Sequence, residues 1–155
     1  MLNITNFIFE KLKINSKSKV NQYHYHPTEL NELKELIKQL IEERGHDADL
    51  NDIDISKMKT LSNLFSSGPE KFFNGDISKW NVSNVEDMEE LFENCKFNGD
   101  ISEWDVSNVT DMQEMFNNAK FNGDISKWKV NKITNTAWMF DDCPLEKNPP
   151  KWYKA

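Results

Sequence analysis

Between residues 73 and 140 the apolar positions recur in one fixed order. Starting from a phenylalanine they are Phe73/Phe97/Phe121, Ile77/Ile101/Ile125, Trp80/Trp104/Trp128, Val82/Val106/Val130 and Val85/Val109/Ile133. Then come Met88/Met112/Thr136, Leu91/Met115/Met139 and Phe92/Phe116/Phe140, each position returning after 24 residues. The Trp-x-Val step has the period of a β-strand, and the Val-x-x-Met-x-x-(Leu/Met)-Phe step has the spacing of three and four that one face of a helix shows. Ser83-Asn84-Val85-Glu86 reads as a capping box at the junction, and Ser107 keeps the cap in the next copy. The Asn-Gly-Asp of each copy reads as a tight turn, with Gly supplying a positive φ where one is needed. The predicted unit is therefore turn, short strand, helix. One such unit cannot bury its own apolar face, so copies must stack. The fold class expected is α/β: a short solenoid like a leucine-rich repeat, with a parallel sheet.

A worn copy precedes the three clear ones. Leu50, Ile53, Ile55, Met58, Leu61, Leu64 and Phe65 match Ile77, Trp80, Val82, Val85, Met88, Leu91 and Phe92 at an offset of 27, the extra residues falling in Ser66–Lys71. The organisation expected is an N-terminal helical cap over residues 1–46, a four-turn repeat region over 47–144 and a capping tail over 145–155. Within the cap, Asn3 or Thr5 starts a short helix through Leu12. A loop runs from Asn15 to Pro27, and Thr28 caps an amphipathic helix, Glu29 to Arg44. Leu30, Leu33, Leu36, Ile37, Leu40 and Ile41 lie on one face of that helix, and Gly45 stops it. At the other end Trp138 replaces the polar Asn63, Glu90 and Glu114, and the tail from Pro144 to Tyr153 is expected to fold back over it, with an exposed aromatic docking site as the alternative.

Charge adds an asymmetry. The 155 residues carry a net charge of −7. Residues 1–44 hold seven Lys/Arg and six Asp/Glu, so the repeats carry all the acidity. Such a surface repels polyanions, which argues against a nucleic-acid partner. Within the repeats the outward positions Asp52, Lys79, Glu103 and Lys127 alternate in sign and are expected to pair between neighbours about 4.8 Å apart. Cys95 and Cys143 are equivalent positions two copies apart, roughly 10 Å on the same spacing, beyond disulfide reach. Both read as buried free thiols, as in a reducing compartment. No apolar run reaches membrane-spanning length, and the start lacks the basic region and cleavage site of a secretory signal. The expected location is cytoplasmic, in a host cell or a virion.

The chemistry is spare. His24 and His26 share one side of an extended segment, but two ligands do not make a metal site. The column Asp49/Asp76/Asp100/Asp124 has the look of a calcium ladder, yet capping of local backbone N–H groups explains it without an ion. The Trp and Met stripes read as core. The acidic run Glu86, Asp87, Glu89, Glu90, Glu93 reads as a solvated face, with a basic partner as the alternative. No nucleophile–base set or phosphate loop stands out, so no catalytic residue, metal or cofactor is assigned.

The pattern Phe-Asn-x-Asp-Ile-Ser-x-Trp-x-Val-Ser-Asn-Val-x-x-Met-x-x-Met-Phe resembles the BspA-like leucine-rich repeat family. The match is close over Phe73–Phe140 and loose over Leu50–Phe65. The resemblance implies a right-handed β/α solenoid and a role in adhesion or protein binding. The segment Ile8–Val20 resembles the N-termini of proteins from large gut phages, including crAss-like ones, which implies a docking or packaging tag. The expected function is a non-enzymatic protein-binding module with a protein partner, using the exposed sheet face. The candidate binding residues are Lys79, Asn81, Ser83, Glu103, Asp105, Ser107, Lys127, Lys129 and Asn131. A virion component tethered by its N-terminal segment is the alternative, and a surface adhesin fragment the second.

Overall fold

The computed structural model describes residues 23–154. The short helix and the tag expected before Gln22 lie outside them.

The amphipathic pattern after Thr28 forms helix α1, Leu30–Arg44. The Glu32 carboxylate accepts from both the backbone N–H and the hydroxyl of Thr28, at 3.0 and 3.2 Å, which holds the first turn. Gly45 ends the helix at φ 87°, its N–H returning to the Ile41 carbonyl at 2.8 Å. Leu33, Leu36, Ile37, Leu40 and Ile41 are buried and join one core with Leu50, Ile53, Leu61, Leu64 and Phe65.

After α1 the expected architecture is not the one adopted. Among the described residues there is no further α-helix, only 3₁₀ turns at Gly68–Phe72 and Pro144–Glu146. Pairing is confined to isolated parallel bridges, Tyr25 with Ile53, Asp49 with Asp76, Thr60 with Asp87, Asp87 with Asp111 and Asp111 with Asn135. Among the described residues there is no parallel sheet, and the leucine-rich-repeat solenoid of strand-and-helix units is overturned.

The reason lies in where the backbone N–H groups go. Val85 donates to Val82, Leu91 to Met88 and Cys95 to Phe92, three residues back in each case, so the segment is a run of tight turns. Glu90 and Asn94 stand at φ 52° and 56°, and Glu114, Asn118, Trp138 and Asp142 repeat those angles one and two copies on. A left-handed residue every few positions forbids a helix. It turns alternate amides sideways: Met88, Glu90, Phe92 and Asn94 donate to the carbonyls of Asp111, Gln113, Met115 and Asn117 at 2.8–2.9 Å. Met112, Glu114, Phe116 and Asn118 do the same to Asn135, Ala137, Met139 and Asp141 at 2.8–3.0 Å. A lone helix of two turns is marginal, whereas lateral bonding satisfies each copy's backbone through its neighbour.

The presumed strand corner is held by side chains instead. The indole N–H of Trp80 donates to the Leu50 carbonyl at 2.9 Å, that of Trp104 to Ile77 at 3.3 Å and that of Trp128 to Ile101 at 3.0 Å. Asn84 and Asn108 reach back to the carbonyls of Ser56 and Ser83 at 2.8 and 2.7 Å. Alternation of inward Trp and Val with an outward residue survives there without sheet pairing.

The core is a double file of phenyl rings. Phe65, Phe92, Phe116 and Phe140 follow one another at 5.5, 5.6 and 5.9 Å between centroids. Phe73, Phe97 and Phe121 follow at 6.1 and 6.2 Å. The files interlock through Phe65–Phe73, Phe92–Phe97 and Phe116–Phe121 at 4.7, 4.4 and 4.3 Å, with planes within 14° of parallel.

The tail continues this register. Trp152 stacks on Trp128 at 6.1 Å and gives its indole N–H to the Ile125 carbonyl at 2.8 Å, the bond each earlier Trp makes. Tyr153 sets its ring edge against Phe140 at 4.8 Å. The tail therefore does not fold over Trp138, which stays 57% exposed.

Candidate functional site

The candidate binding residues fall into two kinds. Asn81, Ser83, Asp105, Ser107 and Asn131 are turn-forming. The Asp105 carboxylate accepts from the Ser107 hydroxyl at 2.7 Å and its N–H at 3.1 Å, and Asn81 accepts from Ser83 in the same way at 2.7 and 3.2 Å. Asn131 accepts from the Ile133 N–H at 3.3 Å. The Ser107 hydroxyl, with its N–H, holds the Asp105 carboxyl below its ordinary pKa. Lys79, Glu103, Lys127 and Lys129 are the second kind, exposed charges. The sign-alternating ladder does not close: no ion pair within 4.0 Å joins Lys79, Glu103 and Lys127 among the described residues. Asp52, its first member, is taken by Arg44.

Glu103, Asp105, Ser107, Lys127 and Lys129 meet in one shallow groove of about 410 Å³, with Trp104 and Val106 at its floor. Lys79 lies apart, in a groove of about 390 Å³ with Arg44, Asp49, Asn51 and Asp52. Asn81, Ser83 and Asn131 line neither groove. With no sheet among the described residues, the surface is a turn-built wall, and its two carboxylates and two ammonium groups come from adjacent copies.

The cluster around Asp52 escaped the sequence reading. Arg44 clamps the Asp52 carboxylate with two nitrogens at 3.1 Å each and gives a third bond to the Tyr25 hydroxyl at 3.3 Å. His24 Nδ1 sits 3.2 Å from the same carboxylate, and His26 Nδ1 3.2 Å from Asp54. Burial raises the Asp52 carboxyl's pKa, but the bonds from Arg44 and His24 outweigh it and hold the group below its ordinary value. The cluster ties the segment before α1, the end of α1 and the first copy together. The two histidines thus face separate carboxylates. The signal for this clasp in the sequence is only a charge pattern.

The aspartate column is local. Asp49, Asp76, Asp100 and Asp124 each accept the backbone N–H two residues on, at 2.9 Å. The Ser78 and Ser102 amides hold Asp76 and Asp100 below their ordinary pKa, and the Ser126 hydroxyl and amide do so for Asp124. In the acidic run, Glu86 pairs with Lys59 at 2.7 Å and Asp87 accepts from the Thr60 hydroxyl at 2.9 Å. Glu89 and Glu90 are pushed up by desolvation and by neighbouring carboxylates. Cys95 and Cys143 are buried free thiols, and burial pushes Cys95 up to about 11.

Among the described residues no helix is long and apolar enough to cross a membrane. A family model described as "Mycoplasma protein of unknown function, DUF285" matches residues 31–152. Neither the curated proteins nor the solved structures yield a match.

Proposed function

We propose, starting from the fact that this chain belongs to the DUF285 family, that it is a non-enzymatic module that binds a protein partner through the groove formed by Glu103, Asp105, Lys127 and Lys129. The observation that carries this reading is a division of labour inside the repeat. Positions that build the stack stay the same from copy to copy: Phe73/Phe97/Phe121, Gly75/Gly99/Gly123, Asp76/Asp100/Asp124 and Trp80/Trp104/Trp128. Positions that face solvent change charge: Lys79/Glu103/Lys127 and Asn81/Asp105/Lys129. A constant frame presenting a variable row is what recognition by a repeat requires. The polar residues that do repeat are occupied with capping turns, and so is Asp105, which leaves Glu103, Lys127 and Lys129 as the charges most open to a partner. The likeness of Phe73–Phe140 to BspA-like repeats supports the same reading.

Both signs in one groove favour a partner segment carrying an acidic and a basic residue in register. The test is capture from native lysate by the full chain, compared with the K127E/K129E and E103K/D105K variants. Specific capture is expected to fall at least about tenfold in each variant. The thermal midpoint is expected to hold in K127E/K129E, whose side chains are exposed, and to fall in E103K/D105K, which removes the carboxylate that accepts from Ser107. Equal capture by all three chains would remove the groove from the account.

A further inference from the structure

The last full copy ends on an unfinished edge. In the three lateral steps before it, the amides equivalent to Thr136 and Trp138 each find a carbonyl: Leu61 and Asn63 reach Asp87 and Glu89, Met88 and Glu90 reach Asp111 and Gln113, and Met112 and Glu114 reach Asn135 and Ala137. The N–H groups of Thr136 and Trp138 have no acceptor among the described residues, and the Thr134 carbonyl, equivalent to the one by which Thr110 receives Asn135, has no donor. Beside these groups lies uncovered core. Val85 and Val109 are fully buried, whereas Ile133 in their column is 76% exposed. The tail covers only the other half of this end, over Trp128 and Phe140.

We infer that the edge Thr134–Trp138 is a docking site for an extended segment of a separate protein chain, which adds to the stack as a further parallel rung. The preceding copies specify that segment. Its bridging residue donates its N–H to the Thr134 carbonyl and accepts at its own carbonyl from Thr136, and the carbonyl two residues on accepts from Trp138. The bridging residue is Asp or Asn, because Asp87, Asp111 and Asn135 each cap the N–H two residues on with their side chain. An apolar residue two positions before it covers Ile133, and an apolar residue immediately after it covers Thr136, as Val109 and Met112 cover Val85 and Met88. The recognition motif is apolar-x-(Asp/Asn)-apolar. Lys132, exposed on this copy, favours an acidic segment, against the overall charge of the chain. The edge offers two donors and one acceptor, so a second copy meeting it with the same edge leaves donors without an acceptor. This mode is strand addition, in which main-chain bonds give affinity and alternate side chains give specificity.

The site is separate from the Glu103–Lys129 groove, and its test does not depend on it. The probe is a synthetic peptide with the sequence SNVTDMQEM, identical to residues 107–115, added to the isotope-labelled full chain. Amide hydrogen exchange at Thr136 and Trp138 is expected to be faster than at Met112 and Glu114 in the free chain. It is expected to slow at least about tenfold with peptide, and the I133D chain, altered only at an exposed side chain, loses that protection. The reversed-sequence peptide is expected to give none. Unchanged exchange at saturating peptide, equal protection by the reversed peptide, or amides already protected in a chain that sediments as a dimer would each overturn the inference.

Discussion

A methyl group on Gly99 has nowhere to go. Built on the backbone, it would lie 2.7 Å from the Phe97 ring and 3.1 Å from the Gly75 carbonyl oxygen, and Phe97 is locked between Phe73 and Phe121. Gly123 meets the Phe121 ring at the same 2.7 Å. The glycine of each Asn-Gly-Asp is there so that a ring can fold back over its own backbone, and none of the three adopts positive φ. The positive φ that the turn reading allowed for is not needed at these glycines, and the ring contact is the constraint. In an open loop Gly→Ala stabilises by about 0.4–1 kcal/mol. Here Gly99→Ala is expected to destabilise by about 1–3 kcal/mol, the cost of overpacking, measured by urea denaturation. A gain would show that the ring does not lie where described.

At the scale of the element, the apolar pattern was legible and the backbone beneath it was not. Every position from Leu50 to Phe65 matched at an offset of 27 is buried, and the bridges Asp49–Asp76 and Thr60–Asp87 carry that same offset. Yet spacings of three and four describe successive tight turns as well as they describe a helix. The residues that decide between the two are left-handed, and at Glu90, Glu114 and Trp138 no Gly or Asn marks them. The sequence signal for α1 was unambiguous by contrast, because it ran through 15 residues and ended on glycine. The sign of one substitution separates the alternatives. Glu114→Gly in a helix would cost about 1 kcal/mol. At φ 54° it relieves backbone strain of about 1 kcal/mol or more, so stability is expected to hold or to rise by up to about 1 kcal/mol. A clear loss at unchanged denaturant slope would restore the helix.

For the whole molecule, cohesion runs along the stack. Phenyl files, indole-to-carbonyl bonds and sideways amides all join one copy to the next, and α1 closes one end. The groove was legible only in part. Glu103, Asp105, Ser107, Lys127 and Lys129 do converge, because the repeat offset could be counted. Lys79 lines a second groove, with Arg44 and Asp52, and Asn81, Ser83 and Asn131 line neither. The Arg44–Asp52–His24 clasp depends on how the segment before α1 lies against the first copy, which periodicity does not encode.

Scalar couplings across hydrogen bonds, read by NMR on the isotope-labelled chain, test this architecture without a substitution. The Glu90 amide is expected to couple to the Gln113 carbonyl and the Glu114 amide to the Ala137 carbonyl, matching contacts of 2.9 and 3.0 Å. Couplings from Glu90 to Glu86 and from Glu114 to Thr110 would mean helical repeats, and would contradict the stack of laterally bonded turns.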